Sequence, residues 1–95
     1  MTSIGVMTFE LRMEHSHSLK DKRHVVKSLK DRLRHKFNVA VAEIDHQDLW
    51  QRATVAAVTI SGDRAYAAQM LEAVEREAAS LLGGDLVEAT LEWLE

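Results

Sequence analysis

Hydrophobic periodicity along this chain switches between two residues and about 3.6, and the order of the switches limits the fold more than any other feature. Met7, Phe9, Leu11 and Met13 are apolar while Thr8, Glu10, Arg12 and Glu14 are polar, the pattern of a half-buried strand. After the short connection His15-Ser16-His17, Leu19, Val26, Leu29, Leu33 and Phe37 recur at helical spacing, predicting an amphipathic helix over 19–36. Ser18 followed by Asp21 has the spacing of a capping box, with Asp in place of Glu or Gln. Asn38 marks the end of that helix.

Residues 39–44 and 52–60, rich in valine and alanine, read as a second and a third strand. The seven residues from Asp45 to Gln51 between them form a hairpin loop longer than a two-residue turn. Alternation leaves open which face of the third strand is buried, because Val55 and Ala57 compete with Val58 and Ile60. Ser61-Gly62-Asp63 offers caps for a second helix over 64–82, with Met70, Leu71, Val74, Ala78, Leu81 and Leu82 along one face. Gly83-Gly84 supplies its stop, and residues 86–94 alternate again as a fourth strand.

Strand, helix, strand, strand, helix, strand is the order of the split β-α-β, ferredoxin-like α+β fold. Right-handed crossovers then give a four-stranded antiparallel sheet of order 4-1-3-2, with both helices on one face. Proline is absent and only four glycines occur, so residues 1–95 are read as a single domain without a linker. Phe9 and Trp93 fall in the apolar phase of their strands and are expected in the core. Ile4, Val6, Thr8 and several alanines are expected on the open face of the sheet. That face is more apolar than a solvated one, and points to a homodimer formed through it.

There is no cysteine, which excludes disulfides, thiolate metal sites and cysteine nucleophiles. No apolar run approaches the roughly 20 residues needed to span a bilayer, and no basic segment precedes a hydrophobic one near Met1. The expectation is a cytoplasmic protein with no membrane partner. Charge is very unevenly spread: residues 19–36 carry eight Lys/Arg against Asp21 and Asp31, whereas the whole chain has a net charge of −3.

The stretch from Leu11 to Leu33, with His17-Ser18-Leu19-Lys20-Asp21-Lys22-Arg23 and Leu29-Lys30-Asp31-Arg32-Leu33-Arg34, resembles the YlxP-like family of small bacterial proteins. So do Phe37-Asn38-Val39-Ala40-Val41-Ala42-Glu43 and Asp45-His46-Gln47-Asp48-Leu49-Trp50-Gln51-Arg52-Ala53. The resemblance implies a ferredoxin-like fold and a genetic context among translation and ribosome-maturation genes. It supplies no catalytic residues, since the family is a domain of unknown function.

Two groups of residues could carry a function. Lys20, Arg23, Lys27, Lys30 and Arg34 fall within an arc of about 80° on the first helix, beside its apolar stripe. Such a row can track a phosphate backbone, so RNA or a ribosomal particle is the expected partner; the alternative is that the row pairs within the molecule. Base stacking on the sheet is not expected, because the second strand has no aromatic residue and the third offers only Trp50 before its start. The second group is Asp45, His46, Asp48, Trp50 and Arg52, a loop that could hold a partner or ligand. His15, His17, Asp45, His46 and Asp48 could bind a divalent metal or a small molecule in a regulatory dimer, or perform acid–base catalysis, although the spacing matches no metal signature. In that loop Trp50 either anchors a partner or covers the end of the core. A protein-interaction module whose basic helix meets an acidic partner is a third reading. No phosphate loop, nucleophile elbow, dinucleotide fingerprint or cofactor motif occurs, so nothing points to an enzyme or a cofactor.

Overall fold

The computed structural model describes all 95 residues. Its elements are β1 (Ser3–Arg12), α1 (Leu19–Lys36), β2 (Ala40–Asp45), β3 (Arg52–Ser61), α2 (Arg64–Leu82), a 3-10 turn (Gly83–Asp85) and β4 (Leu86–Trp93). The sheet runs β2-β3-β1-β4 with every neighbouring pair antiparallel, which is the expected order read from the opposite edge. Both helices pack on one face of it.

The core lies between that face and the helices. Met7, Phe9 and Leu11 from β1, Val26, Leu29 and Leu33 from α1, and Leu71, Val74 and Ala78 from α2 are its centre. Each large side chain withdrawn from water contributes about 1.5–3 kcal/mol. On β3 the core phase is Ala53, Val55 and Ala57, while Val58 is half-buried and Ile60 exposed on the other face. Small residues suit β3, a central strand that both helices contact.

β1 starts at Ser3, four residues before the alternation becomes visible. Its first part hides the pattern because the core-facing positions hold Ser3 and Gly5 and the open-face positions hold Ile4 and Val6. Gly5 is required there: a Cβ would stand 2.6 Å from Leu71 Cδ1 and 2.9 Å from the Trp93 ring. Trp93 is half-buried rather than fully enclosed, and the Arg64 guanidinium lies 4.3 Å from its ring centroid.

The helix ends follow their capping chemistry. Ser18 accepts a hydrogen bond from the Asp21 amide at 3.1 Å, and Asp21 accepts one from the His17 amide at 3.0 Å. The reciprocal bond of the box therefore reaches one residue further out than usual. α1 closes at Phe37 in extended backbone, one residue before the expected Asn38. Asp63 caps α2 by accepting from the Tyr66 amide, and Gly83, at φ 55°, ends it.

Candidate functional site

α1 carries the eight cations of residues 19–36, and the fold sends them in three directions. On the side facing α2, Arg32 Nη1 and Lys36 Nζ both donate to the Glu77 carboxylate, Arg32 at 3.1 Å. These two donors, Lys36 first, hold the Glu77 carboxyl below its ordinary range.

Lys22 points into the protein and is 1% exposed. Its ammonium donates to the carbonyls of His46 at 2.6 Å, Gln47 at 3.0 Å and Arg52 at 3.3 Å. Glu43 Oε2 lies 2.9 Å from the same nitrogen, outside hydrogen-bonding direction, and neutralises the charge. The lysine occupies the place a small cation would take in a loop-binding site: oxygen atoms surround it and fix the path of the chain.

The remaining cations form the row identified from spacing, on the flank of α1 beside the edge strand β2. Arg23, Lys27, Lys30 and Arg34 line one shallow depression there together with Glu43, and Lys20, Arg23 and Lys27 line an adjoining one with His15 and His24. Lys27 donates to Asp31 at 2.6 Å, four residues along the helix, and thereby holds the Asp31 carboxyl below its ordinary range. Arg34 Nη2 donates to the Val41 carbonyl at 2.6 Å, a neutral partner, and forms no ion pair, although its charge also favours the ionised Asp31 carboxyl. Lys20, Arg23 and Lys30 have no carboxylate partner.

The second group sits on the β2–β3 loop. Asp45 accepts from the His46 amide at 2.8 Å, and His46 adopts φ 62°, a left-handed conformation uncommon outside glycine and asparagine. Asp48, Leu49, Trp50, Gln51 and Arg52 line a shallow surface depression. Trp50 is 53% exposed, so it does not cover the end of the core. The loop joins the β1–α1 connection through Gln51, whose side-chain amide donates to the carbonyls of Glu14 and Ser16 at 3.1 Å each.

The two loops therefore meet, but their histidines do not. His15 Nε2 lies 3.6 Å from Asp85 Oδ2 at the β4 side, and His46 Nε2 lies 4.0 Å from its neighbour Asp45. No three His, Asp or Glu side chains converge in a way that could hold a metal ion. Lys22, Gln51 and Glu77 are the structural residues that reasoning from spacing missed. Two signals pointed to the first pair of charges: Lys22 falls in the apolar stripe, three residues after Leu19 and four before Val26, and Glu43 continues the period-two phase of Val39 and Val41.

The model of the protein family described as "Protein of unknown function (DUF503)" matches residues 4–90. The chain belongs to the DUF503 family. A curated relative, the uncharacterized protein YlxP of Bacillus subtilis (strain 168), is 37% identical over 71 residues, covering 75% of this chain and 77% of YlxP. The DUF503 chain is also similar in structure to the de novo designed protein Foldit4, with a TM-score of 0.65 and 13% identity over 100% of this chain and 98% of the design. A dimeric ferredoxin-like protein of unknown function from Thermobifida fusca has a TM-score of 0.50 and 12% identity, covering 96% of this chain and 90% of that one. These likenesses establish the ferredoxin-like fold of this DUF503 member. No helix is long and apolar enough to cross a membrane.

Proposed function

We propose that residues 1–95 act as one non-enzymatic, cytoplasmic binding unit that holds structured RNA or a ribosomal particle through the β2-side flank of α1. The observation that carries this reading is the electrostatic sorting along the helix. Glu77 neutralises the α2-side cations and Lys22 is enclosed, which leaves Lys20, Arg23, Lys30 and Arg34 outside any ion pair on one flank. A rigid row of four cations suits a phosphate backbone, and the absence of a stacking aromatic on β2 and β3 favours recognition of backbone or shape over bases. A metal-regulated alternative at His15, His17, Asp45 and His46 has no support from the geometry, because no three of these side chains converge and His15 is turned to Asp85 while His46 faces its neighbour Asp45.

The same reading takes the working unit as a homodimer joined through the open sheet face. Its support is the apolar character of that face, and the dimeric state of the Thermobifida fusca protein is compatible with it.

The test is fluorescence anisotropy with a labelled structured RNA across a salt series. Displacing counterions from about four phosphates gives a log–log salt slope of roughly −3 to −4, on the order of a hundredfold weaker binding between 50 and 200 mM salt. The triple variant Lys20→Ala, Arg23→Ala, Lys30→Ala should bind more weakly and with a slope near −1. Absence of binding at 50 mM, or an unchanged slope in the variant, removes the proposal.

A further inference from the structure

The open face of the sheet has a charge pattern that one copy of the chain leaves unresolved. Strand register places Arg12 of β1 directly opposite Arg52 of β3, and Glu10 of β1 directly opposite Glu88 of β4. Like charges facing each other across a strand pair are unfavourable. Glu10 has a local partner, accepting from the Thr54 hydroxyl at 2.6 Å, but Arg12, Arg52, Glu88 and Glu92 take part in no ion pair. Glu92 lies on the same face as Glu88, opposite Val6. The face therefore carries an arginine pair at one end of the central strands and a carboxylate pair along the β4 edge.

Between them the side chains are small, and apolar except for Thr8, Thr54 and Thr90. Val6, Val58, Ala42 and Ala56 occupy adjoining positions, and Ile60 at the far end is 63% exposed. Four strands about 4.8 Å apart and roughly 27 Å of strand length give a projected area of about 500 Å² per copy. Two such faces together bury about 1,000 Å², the lower limit for a specific interface.

We infer that a second copy of this chain covers the open sheet face, with Arg12 and Arg52 of each copy set against Glu88 and Glu92 of the other. This deepens the homodimer reading and rests on it, but is independent of RNA binding. The arginines lie at the end of the central strands and the carboxylates along an outer strand. A two-fold axis in the plane between the sheets exchanges them when the strands of the two copies cross steeply, the orthogonal class of sheet packing. The interface is isologous, so each contact occurs twice and a single substitution acts at two places. Both helices remain outside, leaving the basic flank of α1 clear.

Sedimentation equilibrium of the full chain tests this. The unaltered protein should sediment at twice 10.7 kDa, and its dimer should weaken several-fold as salt rises, because the complementary charges lie at the rim of the interface. Arg12→Glu with Arg52→Glu should raise the dimer dissociation constant by roughly tenfold or more. Adding Glu88→Arg and Glu92→Arg to that variant should restore it. All four side chains are solvent-facing, and the salt series needs no variant, so a folding defect cannot mimic the result. A monomer at about 100 µM, the scale of weak association, overturns both this inference and the homodimer reading. A dimer indifferent to salt, to the double reversal, or not rescued by the fourfold exchange overturns the charge register while leaving the homodimer in place. RNA retention is measured separately and bears on neither outcome.

Discussion

Lys22 shows how a residue that breaks the pattern of a helix can organise a loop. Its ammonium is shielded from water by the carbonyl oxygens of His46 and Gln47 in the β2–β3 loop and of Arg52 at the start of β3, and by the Glu43 carboxylate. Removing one member of a buried ion pair is far more damaging than never having had the pair, because the partner charge stays behind. Lys22→Met is therefore expected to cost about 3 kcal/mol, the low end for such a deletion since Glu43 keeps some contact with water. In urea unfolding this is a midpoint lowered by roughly 2 M. Lys22→Met combined with Glu43→Leu should recover part of the loss, and an unchanged midpoint in the single variant would contradict this account. The spacing of residues made both positions readable as core positions. It did not reveal the carbonyl cage, which depends on the loop's path and on the left-handed backbone at His46.

At the scale of elements, α1 and α2 are fastened by one carboxylate and two cations. Because Glu77 is held below its ordinary value of 4.5, the clasp adds stability above pH 4.5 and loses it as the pH falls through the lower, folded-state value. Thermal denaturation of the unaltered protein and of Glu77→Gln should therefore differ most above pH 4.5 and converge under more acidic conditions. A difference that stays constant down to pH 3, or about that, would assign the effect to packing instead. Both helices were legible from end to end, since caps and apolar spacing agree at 19–36 and 64–82. β1 was legible only from Met7. Ahead of it, the close approach of Leu71 and Trp93 forces glycine into a core position, and the open face takes Ile4 and Val6, so alternation is lost. The buried phase of β3 was likewise ambiguous in sequence, because alanine and valine occupy both of its faces and only the helices above select one.

For the whole molecule, element order was enough to give topology, because right-handed crossovers leave few arrangements of two helices and four strands. The fate of each cation was not available from order or spacing. Arg32 and Lys36 are opposed by a glutamate 45 and 41 residues away in sequence. Such pairings exist only after the helices have packed. The candidate binding flank is thus defined by subtraction: it is what remains of a basic helix once the tertiary structure has used the rest.

The enclosure of Lys22 also has a chemical consequence. All five lysines of the protein lie on α1, at positions 20, 22, 27, 30 and 36. An acylating reagent in water can reach four of these amines in the folded state, whereas the fifth becomes nucleophilic only when the carbonyls over it let go. The rate at which position 22 acquires an acyl group, read by mass spectrometry, is therefore an internal clock for the opening of the segment that carries Trp50.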